Sequence, residues 1–305
     1  MAYIQDISII FTSVLLEALP FIILGVLLSA IIQEFVPDTF FRKYTPKNPF
    51  LASAFGLLMA FFIPACDCAI IPVSTRLLKK GVPLNVCVTF MLASPIINPV
   101  VIFSTSYAFG YVFPNMILYR TIFGTLIALI VGFLMSMVNK KSEILNLYTQ
   151  RMNVDDMPLC TCGFDRKVGK VTMSERIYSI IYNAKEEFLS IIKYMIIGIL
   201  LASIAQVFVY NTTISSITQN NTLQIVIMML FAFFIALCST ADSFVAKTFL
   251  NQMSNNSILA FLLLGPMLDI KNTFVLLKSY NKKYVMKLLI SVFALVFILS
   301  LIIKI

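Results

Sequence analysis

Histidine does not occur anywhere in this chain of 305 residues. Its absence rules out a Ser–His or Cys–His nucleophile pair, which weighs against a hydrolase. It also leaves thiolate and carboxylate as the side chains for any soft-metal chemistry. Charge is nearly as scarce. Asp, Glu, Lys and Arg make up 12% of the residues against 60% hydrophobic ones, and the mean hydropathy is +0.94. Soluble domains carry roughly 25% charged residues, so a soluble protein is excluded. No GxxxxGK[ST] phosphate loop is present, so this chain is not expected to use ATP itself. No basic leader precedes the first apolar run. That run, Ile7 to Val36, is too long for a cleaved signal and is expected to be retained.

Several apolar stretches of about 20 residues remain, the length that crosses a bilayer. The expectation is an all-α polytopic membrane protein of the plasma membrane. Its net charge of +9 is better explained by Lys and Arg in cytoplasmic loops than by nucleic acid. Six cysteines are present, Cys66, Cys68, Cys87, Cys160, Cys162 and Cys238. Most lie inside apolar spans, so they do not form a disulfide framework.

Two apolar stretches are interrupted by polar residues. Phe50 to Leu78 is cut at Pro64–Ala65–Cys66–Asp67–Cys68, and Leu223 to Phe249 is cut at Cys238–Ser239–Thr240–Ala241–Asp242. The arms are marginal for a full crossing, so each stretch reads as a re-entrant or broken helical hairpin. A third span, Leu84 to Phe109, contains Ala93 to Pro99 with Pro95 and Pro99, and should break there. Ile258 to Leu277 reads as an unbroken span.

The halves repeat. With a shift of 173, Gly25, Leu27, Leu28, Ile31, Gln33, Phe35 and Val36 fall on Gly198, Leu200, Leu201, Ile204, Gln206, Phe208 and Val209. With a shift of 172, Cys66 falls on Cys238. With a shift of 171, Pro95 falls on Pro266 and Asn98 on Asp269. The division is a first membrane repeat over 1–138, a cytoplasmic linker loop over 139–185, and a second repeat over 186–305. With the basic loops inside, each half has an odd number of crossings and the second copy is inverted. This gives an inverted-repeat transporter-like bundle. The hairpin tips would then meet near the midplane, where transporters bind their solutes.

The candidate substrate-binding residues are Cys66, Asp67, Cys68, Ser94, Asn98, Cys238, Ser239, Thr240, Asp242 and Asp269. Acidic residues inside a span are functional candidates by default. For Asp242 and Asp269 the competing reading is structural pairing with Lys247 or Lys271. Cys66, Cys68 and Cys238 together would form a soft three-sulfur cage. Glu17, just before Pro20, is a proton-relay candidate. Cys160 and Cys162 in the linker are a weak, incomplete metal pair. Arg120 lies near the outer end of its span and should snorkel. No cofactor is expected. The expected partners are the bilayer and a small-molecule substrate, with a second membrane subunit or further copies of the chain beside them.

The stretches Glu17 to Phe21, Pro64 to Cys68, Leu78 to Gly81, Ala93 to Pro99, Leu237 to Asp242 and Gly265 to Asn272 together resemble the bacterial predicted permeases of the ArsP and YraQ type. The second-half stretches are most similar to the YcgR branch. The resemblance implies a plasma-membrane permease, with trivalent organoarsenical efflux attributed to some members and a second membrane subunit to the YcgR branch. Where many such relatives carry a serine between the paired cysteines, this chain has Asp67. The expected function is secondary transport, exporting a small solute such as a thiol-reactive metalloid compound or an anion. The alternative is a non-transporting subunit of a larger complex.

Overall fold

The computed structural model describes residues 2–35, 46, 48–62, 67–110, 113–138, 173–211, 221–235, 238–250 and 253–303. The first half contains α1 (Ala2–Phe35), α2 (Pro49–Phe62), α3 (Asp67–Lys79), α4 (Leu84–Ile97), α5 (Pro99–Phe109) and α6 (Asn115–Val138). The second contains α7 (Met173–Asn211), α8 (Asn221–Ile235), α9 (Ala241–Thr248), α10 (Asn255–Met267), α11 (Ile270–Ser279) and α12 (Lys282–Ile302). Helix α7 starts well before position 186, so the expected boundary of the second repeat falls inside a helix.

Among the described residues six segments are long and apolar enough to cross a membrane: Gln5–Leu27, Leu84–Phe109, Asn115–Val138, Ile180–Ile204, Asn255–Ser279 and Lys282–Ile302. Three belong to each half. Helices α2 and α8 are apolar but shorter. Helical segments suit lipid because each satisfies its own backbone hydrogen bonds.

Among the described residues three apolar stretches are interrupted; residues 63–66, between α2 and α3, lie outside them. Between α4 and α5, Asn98 takes ψ 126°, because a residue before proline is pushed out of the helical region. Its side chain then caps α5, accepting from Val100 N at 3.0 Å. Between α8 and α9, residues 238–240 are not helical. Between α10 and α11, Leu268 and Asp269 are both extended. This last break divides the stretch expected to be continuous.

Helices α4 and α10 lie side by side at the centre, buried over nearly all their residues. Helix α4 packs on α2, α3 and α6, and α10 packs on α8, α9 and α12. Helix α5 packs on α9 and α3 on α11, while α1 lies along α7 and α6 along α12. Helix α1 also rests on α3, and α7 on α11. Both approaches go through glycine. A Cβ on Gly25 would lie 2.7 Å from Ala69 Cα, and one on Gly198 2.7 Å from Lys271 Cα. Small residues let membrane helices approach this closely.

The two ends of the bundle differ in charge. At one end Thr75 Oγ1, which donates to the Ile71 carbonyl at 2.8 Å, lies 3.4 Å from Tyr280 Oη and accepts from it, which brings the basic end of α3, with Arg76 and Lys79, to the turn holding Lys278, Lys282 and Lys283. Gly81 turns the chain there with φ 88°, a conformation that favours glycine. Burial and the neighbouring Cys87 push the Tyr280 phenol up to about 12, so it stays neutral and hydrogen-bonding at physiological pH. At the other end, Asn256 Nδ2 donates to the carbonyls of Ser300 and Ile303, joining uncharged ends of α10 and α12.

Candidate functional site

The start of α9 is the best-defined part of the site. Thr240 and the chain just before it lead into α9, and the Asp242 carboxylate sits in its first turn, where the helix dipole favours an anion. Asp242 is buried. Its Oδ2 lies 3.0 Å from where a Cβ on Gly265 would stand. The carboxylate is therefore seated against α10 just before the α10–α11 break. A side chain at 265 would press on the carboxylate and displace it by a few tenths of an ångström.

Asp269 occupies that break. It is fully buried and caps α11 by accepting from Asn272 N at 2.6 Å. Its other oxygen lies 3.0 Å from Lys271 Nζ. The structural pairing weighed for Asp269 is thus present, with Lys271 as the partner. Asn98 is likewise occupied as the cap of α5. A buried ion pair of this kind must recover the desolvation of both groups through geometry and extra hydrogen bonds. The cap bond is one of them.

Arg120 on α6 corrects the sequence reading. It does not reach for the membrane surface but is 1% exposed. Its Nη1 donates to Thr105 Oγ1 of α5 at 2.8 Å and to Ser243 Oγ of α9 at 2.7 Å. Its Nη2 donates to the Ser239 carbonyl at 3.2 Å. Thr105 and Ser243 are themselves 3.0 Å apart, and Ser104 Oγ donates to the Thr240 carbonyl at 2.7 Å. Gly124, one turn along α6, abuts Ile96 at the end of α4. Arg120 thus sits about one turn from the plane of the breaks and joins α5 to the start of α9. Nη1 alone bonds both helices, and the second nitrogen of the guanidinium adds the Ser239 carbonyl. Each hydrogen bond to a charged group contributes about 1.5–3 kcal/mol.

The remaining candidates divide as follows. Ser239 is buried and Cys238 half-buried, with Thr240 Oγ1 3.5 Å from the Cys238 sulfur. Ser94 is fully buried on α4. Asp67 and Cys68 open α3, but their side chains and that of Glu17, on α1, lie outside the described residues. Cys66, Cys160 and Cys162 also lie outside them. Among the described residues no group of three Cys, Asp or Glu side chains could hold a metal ion. The structure therefore brings together Cys238, Ser239, Thr240, Asp242 and the Asp269 break, and adds Arg120, Thr105 and Ser243.

A scan of family models matches residues 3–305 to a family described as predicted permease, ArsP_1. The chain belongs to this predicted-permease family. It is a multi-pass membrane protein. The UPF0718 protein YcgR of Bacillus subtilis strain 168 is 39% identical over 295 residues, covering 97% of this chain and 96% of that protein. A Streptococcus mutans protein named putative two-component membrane permease complex subunit is 33% identical, covering 91% and 88%. The UPF0718 protein YraQ of Escherichia coli K12 is 20% identical, covering 86% and 70%. No solved structure matches this permease.

Proposed function

We propose that this permease is a secondary transporter of the plasma membrane, built as two inverted repeats, that exports a small thiol-reactive or anionic solute. The observation that carries the reading is the set of helix breaks. Asn98 and Asp269 cap equivalent half-helices, and the start of α9 presses Asp242 against the second of them. Broken helices at matching places of two halves, with their free backbone and dipole ends, are where transporters hold solutes.

The packing supports the repeat. Exchanging the halves turns α2–α4 into α8–α10, α4–α6 into α10–α12, and α5–α9 into α11–α3, all of which are packed pairs. The pairs α1–α7, α4–α10 and α6–α12 map onto themselves. Three long apolar segments in each half support inversion, because an odd number reverses the second copy. Departures from this exchange include α1 and α7 resting on α3 and α11, α7 packing on α8, and α6 packing on α10. One state of an alternating carrier would look like this. The clustering of Arg76, Lys79, Lys278, Lys282 and Lys283 at one end supports a cytoplasmic assignment for that end.

The test is uptake and efflux by the full chain in proteoliposomes, against oxyanions, thiophilic metals and trivalent organoarsenicals. One of these classes should be transported, and Asp67→Asn should abolish that transport with membrane abundance unchanged. Near-normal transport by Asp67→Asn would reduce Asp67 to a structural residue. A variant with serine at 66, 68 and 238 should lose transport of a thiophilic solute. Full transport by it would remove thiol chemistry and leave Ser94, Asn98, Asp242 and Asp269 as a hydrogen-bonding site.

A second reading is a subunit of a two-component membrane complex, favoured by the name of the Streptococcus mutans relative. Transport by the isolated chain would argue against it. Activity that appears only when a second membrane protein is reconstituted alongside would favour it.

A further inference from the structure

We propose that Arg120 is the latch of an outer gate over the second helix break. Its guanidinium ties α5 to α9 while the gate is shut and releases them when solute passes. The inference rests on the transporter reading above and assigns a residue that the sequence alone places at the lipid surface.

Three observations carry it. First, a guanidinium held within a membrane bundle is expensive, and such residues mark pathways more often than scaffolds. An apolar side chain would join α6 to its neighbours at lower cost.

Second, the bonds all converge on one joint. Nη1 bonds Thr105 of α5 and Ser243 of α9, and Nη2 bonds the Ser239 carbonyl. Ser104 closes the same joint by its bond to the Thr240 carbonyl. Cys238 lies directly behind it in the chain. Hydroxyls and carbonyls are partners that water can replace when the helices part.

Third, the opposite end also has a tie between the halves. There Tyr280, which caps the end of α11, lies 3.4 Å from Thr75 of α3 and beside Ser74. It is not the counterpart of Arg120, which lies within α6, but it joins the two halves at the other end as Arg120 does at this one. One is a charged guanidinium and the other a neutral hydroxyl. Two closures, one at each end of the breaks, are what alternating access requires.

The test uses Cys238 as the probe, in the full chain with its native cysteines. Right-side-out and inside-out membrane vesicles are treated with a membrane-impermeant maleimide, and modification of Cys238 is followed by mass spectrometry of its peptide. In the unaltered chain Cys238 should react slowly from outside. Arg120→Met should speed external modification by about tenfold or more, as expected when a charge-assisted hydrogen bond is lost. Thr105→Val with Ser243→Ala should do the same through a milder change of packing. Arg120→Lys should fall between, because an ammonium keeps the charge but not the paired nitrogens that bond the hydroxyls and the Ser239 carbonyl together.

Equal external rates in all four chains would overturn the latch. So would a rise that appears only from the inner face, or a rise from both faces in the Thr105→Val/Ser243→Ala chain. The measurement needs no solute, so its failure is distinct from a failure to find transport.

Discussion

At the residue scale, Asp269 and Lys271 form an ion pair inside an apolar bundle, and Asp269 also caps α11. Removing one member of a buried pair costs about 3–5 kcal/mol, because the other charge is left in a poor solvent. Asp269→Asn keeps the cap acceptor and removes only the charge. It should lower thermal stability in detergent clearly. Adding Lys271→Met should restore most of the loss, since replacing a whole buried pair is often neutral. A stable single variant, or a double variant no better than the single, would show that the pair does not act as a unit. Asp269 was legible as a polar residue in an apolar stretch, and Lys271 as its structural partner. Arg120 was visible too, but its role was not. Helix α6 is apolar around most of its circumference, and the signal that places Arg120 is the stripe Gly124, Ala128 and Gly132, which continues from it at four-residue spacing on the buried face.

At the level of the elements, the breaks were legible where proline and polar residues interrupt an apolar run. The chain leaves the helix at Asn98 before Pro99 and just before Asp242, while Pro64 to Cys66 lie outside the described residues. The break at Leu268–Asp269 was harder, because Leu268 continues the apolar run and Pro266 alone does not end a helix. Only the repeat pointed to it, by setting Asp269 opposite Asn98. The same repeat pairs Gly25 with Gly198, and both glycines seat a long helix against the start of a short one. A Cβ at Gly25 would meet Ala69 Cβ at 2.3 Å, and one at Gly198 would meet Lys271 Cα at 2.7 Å. Overpacking of this kind costs about 1–3 kcal/mol. Gly25→Ala and Gly198→Ala should each lower the melting temperature in detergent, and Gly25→Ala should do so more. If neither changes it, these contacts are looser than the distances imply.

For the whole molecule, the inverted arrangement depends on how often the chain crosses between the basic linker and the polar loop after α7. Helix α7 bears on one part of this. It is one helix of 39 residues, about 58 Å long at 1.5 Å per residue. That is nearly twice the thickness of a bilayer's hydrocarbon core, about 30 Å. Its ends must therefore lie on opposite sides if it runs across the membrane, as its apolar segment Ile180–Ile204 suggests. A single crossing by α7 sets the linker and the next loop on opposite faces, as the proposed inversion requires. Cysteines introduced at Thr45, Leu145 and Lys282 should accordingly react with an impermeant thiol reagent only from the cytoplasmic face, and one at Ser216 only from outside. Positions 45 and 282 test the basic ends, and 145 and 216 test α7. If Leu145→Cys and Ser216→Cys react from the same face, the second half is not inverted. The two ties at Arg120 and Tyr280 would then no longer be the outer and inner closures of one pathway.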